Sequence, residues 1–138
     1  MSETHSLRAR GLSLGLVIYC AASFAHFSHN AIFAESYPSL PESLTPFRIM
    51  SAWLLEAIVG IAGYVLVRRG HDRSGLALMA LYAALGFDGF AHYTLAPASA
   101  HSLAMNASIW AEAVAGALLL IVVAERLVRV RRLPPTPA

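Results

Sequence analysis

Four predominantly apolar runs, each about 22 residues or longer, divide this sequence. At 1.5 Å per residue that length matches the ~30 Å hydrocarbon core of a bilayer. The runs predict helices over about 10–35, 46–68, 75–96 and 101–125, and hence an all-α, integral membrane four-helix bundle. Local signals mark the boundaries. Tyr37-Pro38-Ser39-Leu40-Pro41 interrupts any helix, and Thr45-Pro46 reads as an N-cap followed by proline at the first helical position. Gly70 closes the second run, Asp72 and Ser74 are candidate caps for the third, and Pro97 is its natural stop. Residues 1–133 are expected as one domain, with a disordered Pro-rich tail at 134–138.

The composition agrees, since 57% hydrophobic and 13% charged residues are too apolar a mixture for a water-soluble domain of this length. All ten basic residues are Arg, and nine of them lie at the N-terminus, at 68–73 or at 126–132. The loops 34–45 and 97–101 have none, so the positive-inside rule places both termini in the cytoplasm of a multi-pass inner-membrane protein. A pI of about 9.0 therefore reflects topology, and a nucleic-acid partner is not expected. The lone Cys20 offers no intrachain disulfide and no thiolate metal motif. Gly11 and Gly15 form a small-xxx-small pair, and Gly60, Gly63, Gly86, Gly89 and Gly116 add further positions where helices can approach closely. One alternative concerns the first run: Ser23-Phe24-Ala25 resembles a signal-peptide cleavage site, and processing there would make His26 a copper-chelating N-terminus.

The apolar runs carry a few polar residues, and helical rise sets their depth. His26 and His92 lie about 24 and 26 Å from the cytoplasmic ends of their spans, and Asp88 about 20 Å. Glu56, Glu112 and Asn106 lie about 15, 16 and 7 Å below the outer boundary. All fall in the outer half of the bilayer. On a continuous third helix Asp88 and His92, four apart, share one face. Three uncompensated acids would cost roughly 8–10 kcal/mol to insert, and no Lys or Arg lies in the core to offset them. Protons, imidazoles or a bound cation must do so.

His26, Glu56, Asp88, His92 and Glu112 are accordingly the expected metal ligands, oriented by His29, Asn106 and Tyr93. His and carboxylate donors suit a transition metal ion, Fe, Cu, Zn or Mn, and haem between His26 and His92 is less natural beside three acids. The set is similar in architecture to di-metal carboxylate bundles, but its spacings differ from theirs and assign no family. The leading expectation is a metal-assisted or redox role. The alternatives are a proton-coupled transporter, an acid/base isomerase acting on a lipid-soluble substrate such as a sterol or quinone, and a non-catalytic subunit of a larger membrane complex. The lipid bilayer is the expected partner, with a homo-oligomer or larger complex also open.

Overall fold

The computed structural model describes residues 2–132 and is all-helical among them. Helix α1 runs Ser2–Ile32, α2 Pro46–Arg68, α3 Asp72–Leu85, α4 His92–Leu95 and α5 Leu103–Arg132, with short 3₁₀ turns at Ala34–Ser36, Asp88–Ala91 and Ala98–Ala100. Four segments are long and apolar enough to cross a membrane: Arg10–Ile32, Pro46–Arg68, Asp72–Leu95 and Leu103–Val130. The tail at 134–138, expected to be disordered, lies outside the described residues.

The second helix begins and ends where the sequence predicts. Thr45 Oγ1 accepts a hydrogen bond from Arg48 N at 3.4 Å, and the chain leaves α2 through Gly70 at φ +86°, a conformation that glycine adopts without steric cost. Helix α3 starts at Asp72, with His71 rather than Asp72 or Ser74 at the cap position and no side-chain cap bond. Helix α5 continues about two turns beyond the expected 125. No Gly or Pro interrupts residues 117–132, and Glu125 and Arg129 pair one turn apart at 3.9 Å on its exposed face.

The third span departs from expectation. It is not one helix over 75–96: α3 stops at Leu85, the chain passes through Gly86 and the 3₁₀ turn Asp88–Ala91, and one helical turn, α4, completes the segment. Two glycines within four residues weaken the helix locally, and packing fixes where it breaks. A Cβ on Gly86 would stand 2.9 Å from the Tyr19 ring and 3.2 Å from Gly116 Cα, and one on Gly116 would stand 2.7 Å from Ala83 O. The third span and α5 therefore meet backbone to backbone at the break.

A similar approach joins α2 to α3, where Gly63 and Gly75 face each other's backbone. Gly11 is different: nothing lies within 4 Å of a Cβ built there, so the expected Gly11/Gly15 pair does not act as a unit. Only Gly15 packs, against Leu119.

Two layers fill the interior. Toward the Arg-rich end Leu12, Leu16, Leu76, Met79, Leu119 and Val123 build an apolar core, closed by the Tyr19 and Tyr82 rings at 4.5 Å. Toward the end carrying the 33–45 and 96–102 connections, hereafter the loop end, the buried residues include His26, Asn30, His92, His101 and Glu112. The outward faces are the reverse, with Val17, Leu55, Ile58, Leu81, Val114 and Leu118 all exposed. Polar groups inside and large apolar side chains outside invert the arrangement of a water-soluble bundle.

Candidate functional site

The polar layer begins at Ser23 on α1. Its Oγ accepts from Trp53 Nε1 at 3.2 Å and lies 3.5 Å from Tyr82 Oη, which ties α1 to α2 and α3 directly above the apolar core. One turn further along α1, His26 is 2% exposed and Glu112 of α5 is 0% exposed, with Nε2 and Oε2 3.5 Å apart. His26 Nδ1 lies 3.1 Å from Ser108 Oγ, and that hydroxyl donates to Met105 O at 2.9 Å. Glu112 has no hydrogen-bond partner for either oxygen.

Asn30, one turn after His26, occupies the centre. Its Nδ2 lies 3.1 Å from His26 Nε2 and 3.2 Å from His92 Nε2, so one amide joins imidazoles from two different spans. The two rings stand 5.6 Å apart. His92 reaches this position because α4 begins at it after the break. Gly89 in the preceding turn lets the backbone come in beside the pair, since a Cβ there would sit 3.4 Å from both Glu112 Oε2 and His26 Nε2.

A second group lies nearer the loop end. Tyr37 is buried, with its hydroxyl 2.7 Å from His29 Nδ1 and its ring 4.9 Å from that of His92. Burial pushes the Tyr37 hydroxyl up to about 12, so it stays protonated at neutral pH. His101 is buried beside Tyr37 and His92, its ring 6.1 Å from that of His92, and its Nδ1 donates to Pro97 O at 3.1 Å.

The layer opens into a cavity of about 280 Å³ between α1, the 40–44 connection, α2 and the broken third span. Phe27, Ile49 and Leu95 supply apolar wall, while His26, Asn30, Asp88 and His92 bring polar groups to it. Arg48 also lines it and donates from Nη1 to Ser43 O at 2.9 Å. Asp88 is exposed on this wall, whereas His92 is buried. The expected shared helix face for the two is not observed, because a 3₁₀ turn advances three residues per turn and rotates Asp88 away from the line of His92.

The five expected metal ligands are thus divided. His26 and Glu112 make contact, His92 joins them through Asn30, and Asp88 lies on the cavity wall. Glu56 is half-buried on α2, with Oε2 buried and unpartnered. Among the described residues no three His, Cys, Asp or Glu side chains are arranged to hold a metal ion. The expected supporting residues are also redistributed. Tyr93 Oη donates to Asn106 Oδ1 at 2.7 Å, and Asn106 Nδ2 reaches Ala98 O, His101 O and Ser102 O at 3.1–3.2 Å. Through these bonds the two residues fasten the 98–102 connection to α5 instead of orienting the expected ligands, while His29 supports Tyr37.

Asn30, Ser108, Tyr37 and His101 are not among the site residues expected from the sequence. Asn30 had a signal, lying four residues after His26 on one helix face within an apolar run. Tyr37 and His101 lie at span ends, where aromatic and imidazole rings are ordinarily interfacial, and only the fold turns them inward. No family model matches the chain, and no curated protein or solved structure matches it.

Proposed function

We propose that the four spans cross a membrane, and that the cavity binds a lipid-soluble small molecule on which Asp88 acts as proton acceptor and donor. The observation that carries this reading is the combination of an apolar wall with one exposed carboxylate and two buried imidazoles around a single space of about 280 Å³. Sites for small molecules have this character, mostly apolar with a few polar groups that fix orientation. The space takes the polar head of an amphiphile, and the rest of the molecule lies against the exposed apolar faces of the helices. The Arg-poor 33–45 and 96–102 connections support an orientation with this head-binding region in the outer half of the bilayer.

A proton-handling site is favoured over a shared metal site because among the described residues no three of the acids and imidazoles converge on one point, the two imidazoles being joined to each other through Asn30. General acid–base chemistry needs a titratable group within reach of the reacting atom, and Asp88 is the acid on the cavity wall.

The test is chemical extraction. Protein purified in mild detergent, and an Ala52→Trp variant whose indole fills the cavity from α2, are extracted into organic solvent and the extracts compared by mass spectrometry. A lipid-soluble species enriched in the wild-type extract and lost from the variant is expected. Identical extracts, together with no binding of sterol or quinone probes to wild-type protein, overturn the proposal.

A further inference from the structure

The hydrogens of the Asn30 bridge have an unequal number of places to go. If Asn30 Nδ2 donates to both Nε2 atoms, His26 and His92 are both neutral with the ring proton on Nδ1. His26 Nδ1–H then donates to Ser108 Oγ, whose own proton is already directed to Met105 O. With the amide reversed, Oδ1 would accept from two Nε2–H groups and leave the two hydrogens of Nδ2 without partners. As it stands, the orphans are Asn30 Oδ1 and the single His92 Nδ1–H, one stranded N–H where the reversed amide leaves two. A buried carbonyl that lacks a donor is tolerated better than a buried N–H that lacks an acceptor, so the bridge sets both rings as Nδ1–H.

One consequence falls on His92. Its Nδ1 is buried and meets no acceptor in the protein, yet the residue lines the cavity. A buried N–H without an acceptor is costly, and a ligand oxygen that displaces the cavity wall enough to reach this atom would satisfy it. We infer that Asn30 fixes His92 as a hydrogen-bond donor to the cavity, and that the ligand is a neutral lipid-soluble molecule presenting a carbonyl oxygen there, such as a ketone with a hydrogen on the neighbouring carbon. This inference rests on the cavity reading above and names the ligand class for it.

The chemistry balances without a co-reactant. The Asp88 carboxylate takes a proton from the carbon next to the carbonyl, the C–H electron pair moves into a new C=C bond, and the carbonyl π pair moves onto oxygen, where His92 Nδ1–H stabilises the developing enolate. In a β,γ-unsaturated ketone the proton returns from Asp88 to the γ carbon: the oxygen pair re-forms the C=O, the enolate C=C pair moves between the α and β carbons, and the former β,γ π pair takes the proton, which gives the conjugated isomer and restores the carboxylate. The charged and titratable groups facing these residues are His26 and His29 of α1, Tyr37, Arg48 and Glu56 of α2, and His101 and Glu112 from the last connection and α5. Asn30 is a positioning residue: it acts through the imidazole.

The test uses full-length protein in detergent with ¹⁵N-labelled histidine rings. Without ligand, His26 and His92 are expected to show protonated Nδ1 and unprotonated Nε2. A β,γ-unsaturated steroid ketone should bind and move the His92 Nδ1 resonance, and should bind about tenfold more tightly than the steroid hydrocarbon lacking the oxygen, the worth of one buried hydrogen bond. In Asn30→Asp the carboxylate can only accept, so both rings should carry the proton on Nε2 and the preference for the ketone should vanish. Should Asn30→Asp fail to fold, His92→Phe, which keeps ring volume and removes the donor, should equalise the two steroids. A wild-type His92 protonated on Nε2 overturns the inference. Equal binding of ketone and hydrocarbon overturns it while leaving the cavity reading intact, and no binding of either, with the ring protons as stated, overturns the cavity reading and this ligand class together.

Discussion

His26 Nε2 lies 3.5 Å from Glu112 Oε2, at 2% and 0% exposure, where the third span turns past the pair with only a glycine between. The two side chains belong to the first and last spans, 86 positions apart in sequence. Neither carboxylate oxygen has a hydrogen-bond partner, and the imidazole is the polar side chain set beside the acid. A double-mutant cycle with His26→Ala and Glu112→Ala, read by unfolding in detergent, should give a coupling of about 1–3 kcal/mol, because removing one buried polar partner leaves the other unpaired. The same cycle on the exposed Glu125–Arg129 pair should give less than about 0.5 kcal/mol.

The glycines separate into two kinds. Gly63→Ala places a Cβ 2.8 Å from Gly75 O and 2.9 Å from Met79 N, which forces two helix backbones apart at a cost of about 1–3 kcal/mol. Gly11→Ala meets open space and should stabilise α1 by up to about 1 kcal/mol through helix propensity alone. Melting temperatures of the two variants should therefore move in opposite directions.

Asn106 should be a stability residue rather than a ligand-binding one. Asn106→Ala removes the acceptor for Tyr93 Oη and the donor to three carbonyls, a loss of about 1–3 kcal/mol. Amide exchange at 98–102 should accelerate by one order of magnitude or more, while ligand affinity in the cavity stays unchanged.

The Tyr37 hydroxyl, pushed up by burial to about 12 from an ordinary value near 10, gives a signed pH dependence. Its folded-state value is raised, so the stability it contributes is intact below about pH 10. That stability is lost as pH rises toward 12, because the unfolded chain ionises first. A tyrosinate difference spectrum, wild type minus Tyr37→Phe, should show almost no contribution at pH 10 and a half-maximal one only near 12. Ionisation of this residue at pH 10 would show that the hydroxyl is hydrated and the cluster open.

The four spans, the start of α2 at Thr45-Pro46 and the end of the apolar density near residues 33 and 96 were legible because they depend on properties local in sequence: run length, a cap residue, a proline. The polar residues' common level was legible for the same reason, since rise per residue is constant along a helix. Extending that regularity through residues 75–96 misplaced Asp88. Gly86 carried a local warning, but the break depends on Tyr19 and Gly116, which belong to other spans and press against it.

The sequence by itself determined an all-helical chain with four segments able to cross a membrane and a set of acids and imidazoles toward one end of them. Only the tertiary structure decided which of these meet. Contact across helices depends on each helix's rotation about its own axis, and that is set by close approaches such as Gly86 on Gly116 and Gly63 on Gly75, not by any spacing within one run. Those approaches bring His26 to Glu112 and seat Asn30 between two imidazoles. They leave Asp88 on the cavity wall, where the long periodicity of the third run had predicted a single ligand-bearing face.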